Sequence, residues 1–241
     1  MPAVLAAPKP ASVAVAPARE NLYLVVHKGL RMCMGDTLAA VGRMDPHDED
    51  DVVATLARVR GLLDLCRCHL ELEDRHLHAA MEARHPHSAA PTTADHVEQS
   101  AALARLDACI EAVEAANDVD RDRVALALYR ALALFVAENL EHMQVEETAN
   151  MEVLWACYSD EELRAIHDAI VGSIAPADLL SYLRWMVPAA APAERAALLS
   201  GVQQGAPREA FAALIGIVRP TLSAREWAKL VHAIGPAPIG G

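Results

Sequence analysis

The sequence predicts an all-α protein: an up-down-up-down four-helix bundle followed by a region of short helices. Three observations carry this. The 241 residues are 54% hydrophobic but only 4% aromatic, and alanine and leucine favour helices, whereas strands draw on β-branched and aromatic side chains. Four long stretches run without proline at helical spacing, joined by short turn-forming segments. Beyond Ser159 the helical spacing persists, but Pro176, Pro188, Pro192, Pro207 and Pro220 cut it into shorter pieces.

In order along the chain, residues 1–19 read as an Ala/Pro-rich tail. The first helix is expected over 19–44, stopping at Asp45-Pro46. The acidic run His47–Asp51 suits the positive end of a second helix over 48–84. HPHSAAPTT, residues 85–93, is a connector, with Thr92 or Thr93 as N-cap of a third helix over 94–116. Asn117–Asp120 makes the next turn, and a fourth helix follows over 120–158. The domain reading is therefore a tail (1–19), a bundle (20–158) and a short-helix region (159–241) packed on the bundle or on another subunit, where it could make a homodimer. The terminal GPAPIGG is expected to fray.

Composition excludes several classes. A formal charge of −12 disfavours nucleic acid, whose phosphates need clustered Lys and Arg. The apolar opening is interrupted by Pro8, Pro10 and Pro17 and lacks a basic start, so it is not read as a signal peptide. No later run approaches the roughly 20 uncharged apolar residues that span a bilayer, so no membrane partner and a cytoplasmic location are expected. Five cysteines do not make a disulfide framework and are read as reduced thiols. Cys66 and Cys68 diverge by about 200° on a helix, poor geometry for one ion.

Chemistry enters with two His-x3-Glu pairs, His69/Glu73 on the second helix and His142/Glu146 on the fourth. Four residues on a helix turn by about 40° and rise about 6 Å, so each pair offers an imidazole and a carboxylate on one face. The first and third helices each add a lone histidine, His27 and His96. One such pair is ordinarily a solvated ion pair; two, on alternate helices with a histidine on each helix between, predict a shared metal site. Six ligands with two carboxylates suit two transition-metal ions bridged by glutamate. Counting back from the turns places His27 level with His69 and His96 level with His142. Glu73 fits less well against His96, and the 85–93 connector must absorb the difference.

These pieces, HKGLR (27–31), HLELEDRHLHAAMEAR (69–84), Asp95-His96 and FVAENLEHMQVEE (135–147), together resemble the hemerythrin-like, or HHE cation-binding, family over about residues 20–157. The resemblance implies a non-haem di-iron centre, with Glu73 and Glu146 bridging and His27, His69, His96 and His142 as terminal ligands. Oxygen-carrying members have a second histidine where this chain has Ser100, and commonly a final His-x4-Asp where it has Glu146 and Glu147. Glu146 is favoured because four residues keep the same face. Four histidines leave an iron with an open or water-filled position, which favours reactivity or sensing over simple oxygen carriage.

The expected function is a di-iron protein that binds, senses or reacts with dioxygen, peroxide or nitric oxide; turnover would be peroxidase- or oxidase-like. The alternatives are a metal-dependent sensor or interaction module, and an iron storage or repair protein without turnover. Around the site, Tyr23 is expected in the core and His76 at the surface or behind the ligands. Glu138 is a candidate partner for an imidazole N–H. His78, His85 and His87 are expected to face solvent, His47, His167 and His232 carry no supporting pattern, and Cys33 and Cys66 read as buried small hydrophobes.

Overall fold

Asn21 turns the chain into the first helix: its Oδ1 accepts from the backbone N–H of Tyr23 and Leu24 at 3.1 and 2.9 Å. Helix α1 therefore spans Leu24–Arg43, starting later than the composition predicts. The computed structural model describes residues 19–235, and among these every regular element is a helix, with no strand. The expected tail, apart from Arg19, and the last six residues lie outside them.

Asp48 caps α2, Glu49–Leu72, by accepting from the N–H groups of Asp50 and Asp51. This helix continues without a break through a π-helical turn, Glu73–His78, into α3, Ala79–Arg84. Helix α4, Ala90–Glu114, begins before the predicted threonine cap, with Pro91 in its first turn. Thr92 is instead fully buried inside it, its hydroxyl 3.1 Å from His78 Nε2. Helix α5, Arg121–Val145, also runs through a π-helical turn, Glu146–Asn150, into α6, Met151–Cys157. The π turns begin at Glu73 and at Glu146, the glutamates of the two His-x3-Glu pairs. Each holds about one residue more than an α turn, so everything after it lags by about 100°.

Four long rods result. The first packs on the second and fourth, and the third packs on the same two. Their main core contains Leu30, Met34, Leu62, Leu103, Leu106 and Phe135. A separate core closes one end, from Tyr23, Leu77, Met81, Met151 and Leu154, with Leu163 of α7 (Asp160–Ser173). The six candidate ligands lie where the two cores meet; on the second and fourth rods Leu70 and Met143 of the main core directly follow His69 and His142. All five cysteines are free; burial pushes the Cys33 thiol up to about 12, in keeping with a packing role.

The remaining helices, α8 (Pro176–Ala189), α9 (Pro192–Gly205), α10 (Arg208–Val218) and α11 (Ala224–Ile234), build a core of their own around Leu199, Phe211, Leu214 and Val218. Helix α8 belongs to both parts: Leu183 and Val187 enter that core, while Tyr182 enters the main one. It reaches α1 at Gly29, where a β-carbon would lie 2.9 Å from Met186 Cγ and 3.0 Å from its backbone nitrogen. Tyr182 donates its hydroxyl to the Leu65 carbonyl at 3.0 Å, and Lys28 pairs with Glu194 at 2.7 Å. No helix among the described residues is long and apolar enough to cross a membrane.

Candidate metal centre

His27, His69, Glu73, His96, His142 and Glu146 converge between the rods, none more than 9% exposed. His27 and His69 present their Nε2 atoms to each other at 3.2 Å, and Glu73 Oε1 lies 3.5 and 3.1 Å from them. On the other side His96 Nε2 lies 3.6 Å from Glu146 Oε1, and His142 Nε2 lies 3.3 Å from the same oxygen. Both oxygens of Glu73 and of Glu146, with Nε2 of His96 and of His142, are buried without a hydrogen-bond partner among the described residues. Leaving such groups unpaired is costly. A cation between them removes the cost, so the donor set fits a metal.

The fit has a definite form. Asp74, His78 and His96 form one group that could hold an ion, on the outer side of His96; the six candidate ligands themselves form two more, His27, His69, Glu73 and Glu146 in one, and Glu73, His96, His142 and Glu146 in the other. Imidazole nitrogens and carboxylate oxygens, with no thiolate, make up both sets. Electrostatics without an ion is strained. Burial, and then the facing Glu146, push the Glu73 carboxyl well above the usual range. Burial acts the same way on Glu146, but the imidazoles of His142 and His96, 3.3 and 3.6 Å from it, outweigh burial and hold that carboxyl low. Burial and the neighbouring His27 hold His69 well below an ordinary imidazole.

Outside this layer three carboxylates orient the rings. Asp74 lies 2.8 Å from His96 Nδ1, Asp95 lies 3.3 Å from His142 Nδ1, and Glu147 lies 3.0 Å from His27 Nδ1 while pairing with Arg31. Each accepts the Nδ1–H and so turns Nε2 inward. The arrangement has a rule: each carboxylate is next in sequence to one candidate ligand and serves the imidazole of a neighbouring rod. Only His69 has no such carboxylate among the described residues; beside His27 the chain has Val26 and Lys28.

Two expectations are corrected. Glu138 is exposed, and Asp95 takes the place behind His142 that was expected of it. His78 does not face solvent: it is 4% exposed, stacked on His96 with centroids 4.7 Å apart and bonded to Asp74 at 2.9 Å. A uniform α-helix would put it about 180° from His69; the lag of the π turn brings it inward. Tyr23 is fully buried as expected, its ring 5.2 Å from that of His27 and its hydroxyl 3.4 Å from Asn150 Nδ2. His76 lies toward the surface, 3.2 Å from Ser173 Oγ. Ser100 donates to the His96 carbonyl at 2.8 Å. Sequence reasoning missed Asp74, Asp95 and Glu147 as ring-orienting groups, although each stands beside a candidate ligand.

No family model, curated protein or solved structure matches the chain.

Proposed function

We propose that the six side chains hold two iron ions bridged by Glu73 and Glu146 inside a hemerythrin-like four-helix bundle, and that the protein binds, senses or reacts with a small oxidant such as dioxygen, peroxide or nitric oxide. One observation carries the reading: Glu73 and Glu146 belong to both of the four-membered ion groups, while each of the four histidines belongs to one of those two. That is the division of labour a bridged pair requires, with two terminal imidazoles per ion. Mixed imidazole and carboxylate donors in a helical bundle suit iron, and bound iron would supply Lewis acidity and electrons to a small oxidant.

The residues around the site have separable tasks. Glu147, Asp95 and Asp74 hold protons on the outer nitrogens of His27, His142 and His96, which keeps the inner nitrogens free. The apolar cores on either side exclude bulk water, which strengthens every electrostatic interaction between them. Metal analysis of the purified full chain, with an absorption spectrum in air, tests the reading. About two irons per chain, lost in His142→Ala, is the expected result; zinc alone, or no metal, would sink it.

Replacing Glu147 with alanine leaves every inner ligand in place but frees the His27 ring. Iron affinity, measured by chelator competition, is expected to fall about 10- to 100-fold. An unchanged affinity would show that the outer carboxylate does not orient the ring.

A second reading, a metal-dependent sensor, draws on the contacts of the C-terminal region beside His27, Met186 against Gly29 and Glu194 on Lys28. A change of oligomeric size on metal loading or oxidation would favour it, and a size that never responds would count against it.

A further inference from the structure

We infer that Gln99 is the hydrogen-bond donor for a small anionic or oxygen-bearing ligand held beside the six converging side chains, and thereby determines which ligands the site accepts. The inference rests on the proposed metal pair and deepens it. Gln99 lies on α4 three residues after His96 and four before Leu103, all three buried, so it belongs to the strip that faces the core. Three residues raise it by about 4.5 Å, one turn from the imidazole.

Direction decides what its amide reaches. Helical side chains lean toward the N-terminus of their helix, which for α4 is the His96 end. The long Gln99 side chain is therefore carried back along α4 toward the turn that bears His96. It is 7% exposed, and its Nε2 is buried with no hydrogen-bond partner among the described residues.

Asn139 supplies the contrast. It lies three residues before His142 on α5, is also buried, and leans the other way; its Nδ2 donates to the Phe135 carbonyl at 2.8 Å. Of two amides flanking the His96–His142 pair, one is engaged by backbone and the other is left open. A buried NH2 without a partner is destabilising, and leucine would fill the position at lower cost. A stability cost kept at a site is expected where function needs the group.

The chemistry selects the ligand class. An uncharged NH2 favours a terminal atom with an acceptor lone pair, and Glu73 and Glu146 would repel an anion that had no cation to join. A groove of about 270 Å³ lies nearby between the second and third rods, lined by Arg67, Leu70, Glu71, Asp74, Ser100 and Leu103. Ser100 and Leu103 follow Gln99 on its own helix.

Azide is the probe, titrated into the iron-loaded full chain and read by its charge-transfer absorption. Gln99→Leu is expected to keep the iron, to weaken azide binding about tenfold, the loss of one hydrogen bond to a charged group, and to melt at or above the wild type when metal-free. Nitric oxide, a poorer acceptor, is expected to lose less. Gln99→Met, which keeps the length of the side chain, repeats the measurement should leucine disturb the packing. Full iron with unchanged azide affinity in both variants would overturn the inference and leave the metal reading standing. A lower melting temperature for both metal-free variants would overturn it too, by showing a structural amide. A wild type without iron would bring down both readings.

Discussion

Replacing Glu73 with glutamine is expected to raise the melting temperature of the metal-free protein and, on the proposed iron reading, to abolish the stabilisation that iron would give the wild type. Glu73 is 2% exposed and faces Glu146, with neither of its oxygens hydrogen-bonded to a described residue. Glutamine has the same shape and no charge to bury. A gain of about 5 °C is the scale for a chain of this size. Iron at a thousand times its dissociation constant would stabilise the wild type by about 4 kcal/mol, or about 10 °C, and the variant by much less.

The pH dependence follows with a definite sign. A carboxyl whose pKa is raised on folding contributes most below its ordinary value of 4.5, and that contribution is lost as pH rises through the folded value. Metal-free wild type should therefore weaken above about pH 4.5 in a way that Glu73→Gln does not. Calorimetry on both proteins with and without iron decides it. A variant that melts lower than wild type in both states would show that Glu73 holds the fold by some other contact.

Gly29→Ala is expected to lift α8 from α1. The added methyl would meet Met186 at 2.9 Å on its side chain and at 3.0 and 3.1 Å on its backbone, and backbone cannot step aside as a side-chain tip can. Overpacking of this kind costs about 1–3 kcal/mol, a fall of about 5 °C. The loss should be local. Hydrogen exchange is expected to quicken along α8 and at the Tyr182–Leu65 contact, while α4 and α5 keep their protection. Unchanged exchange in α8 would show that the helix is held elsewhere. The site should feel the change at His69, because α8 lies along the first and second rods, and His69 is the candidate ligand without a ring-orienting carboxylate among the described residues.

What the sequence disclosed was whatever repeats at helical period. The long proline-free runs and the paired His-x3-Glu spacing are properties of a regular α-helix, and the six residues they single out do converge. Counting residues from the turns placed them at one level because rise per residue is nearly constant. What stayed hidden depends on departures from that regularity. His78 was misplaced because no residue pattern marks a π turn, and a lag of one residue moves everything after it. Asp95 was passed over for Glu138 because four-residue spacing along one helix is easy to see, whereas a bond from one rod to the next needs the packing. Asn21 displaces the expected start of the first helix through hydrogen bonds to the backbone of Tyr23 and Leu24, which no helical period marks.

The burial of the six side chains between two apolar cores also sets a clock. An ion cannot reach or leave ligands that are 0–9% exposed unless neighbouring rods part, and the seam between α2 and α4, the sparsest of the four, is where parting disturbs the fewest contacts. Uptake is then paced by how often that seam opens and not by diffusion of the ion. Protein that folds in the presence of iron would fill at once, whereas protein folded without it would load slowly, however tightly it binds at equilibrium. Loss is slow for the same reason. Iron carried through dialysis would therefore measure the lifetime of the closed seam rather than the affinity of the site.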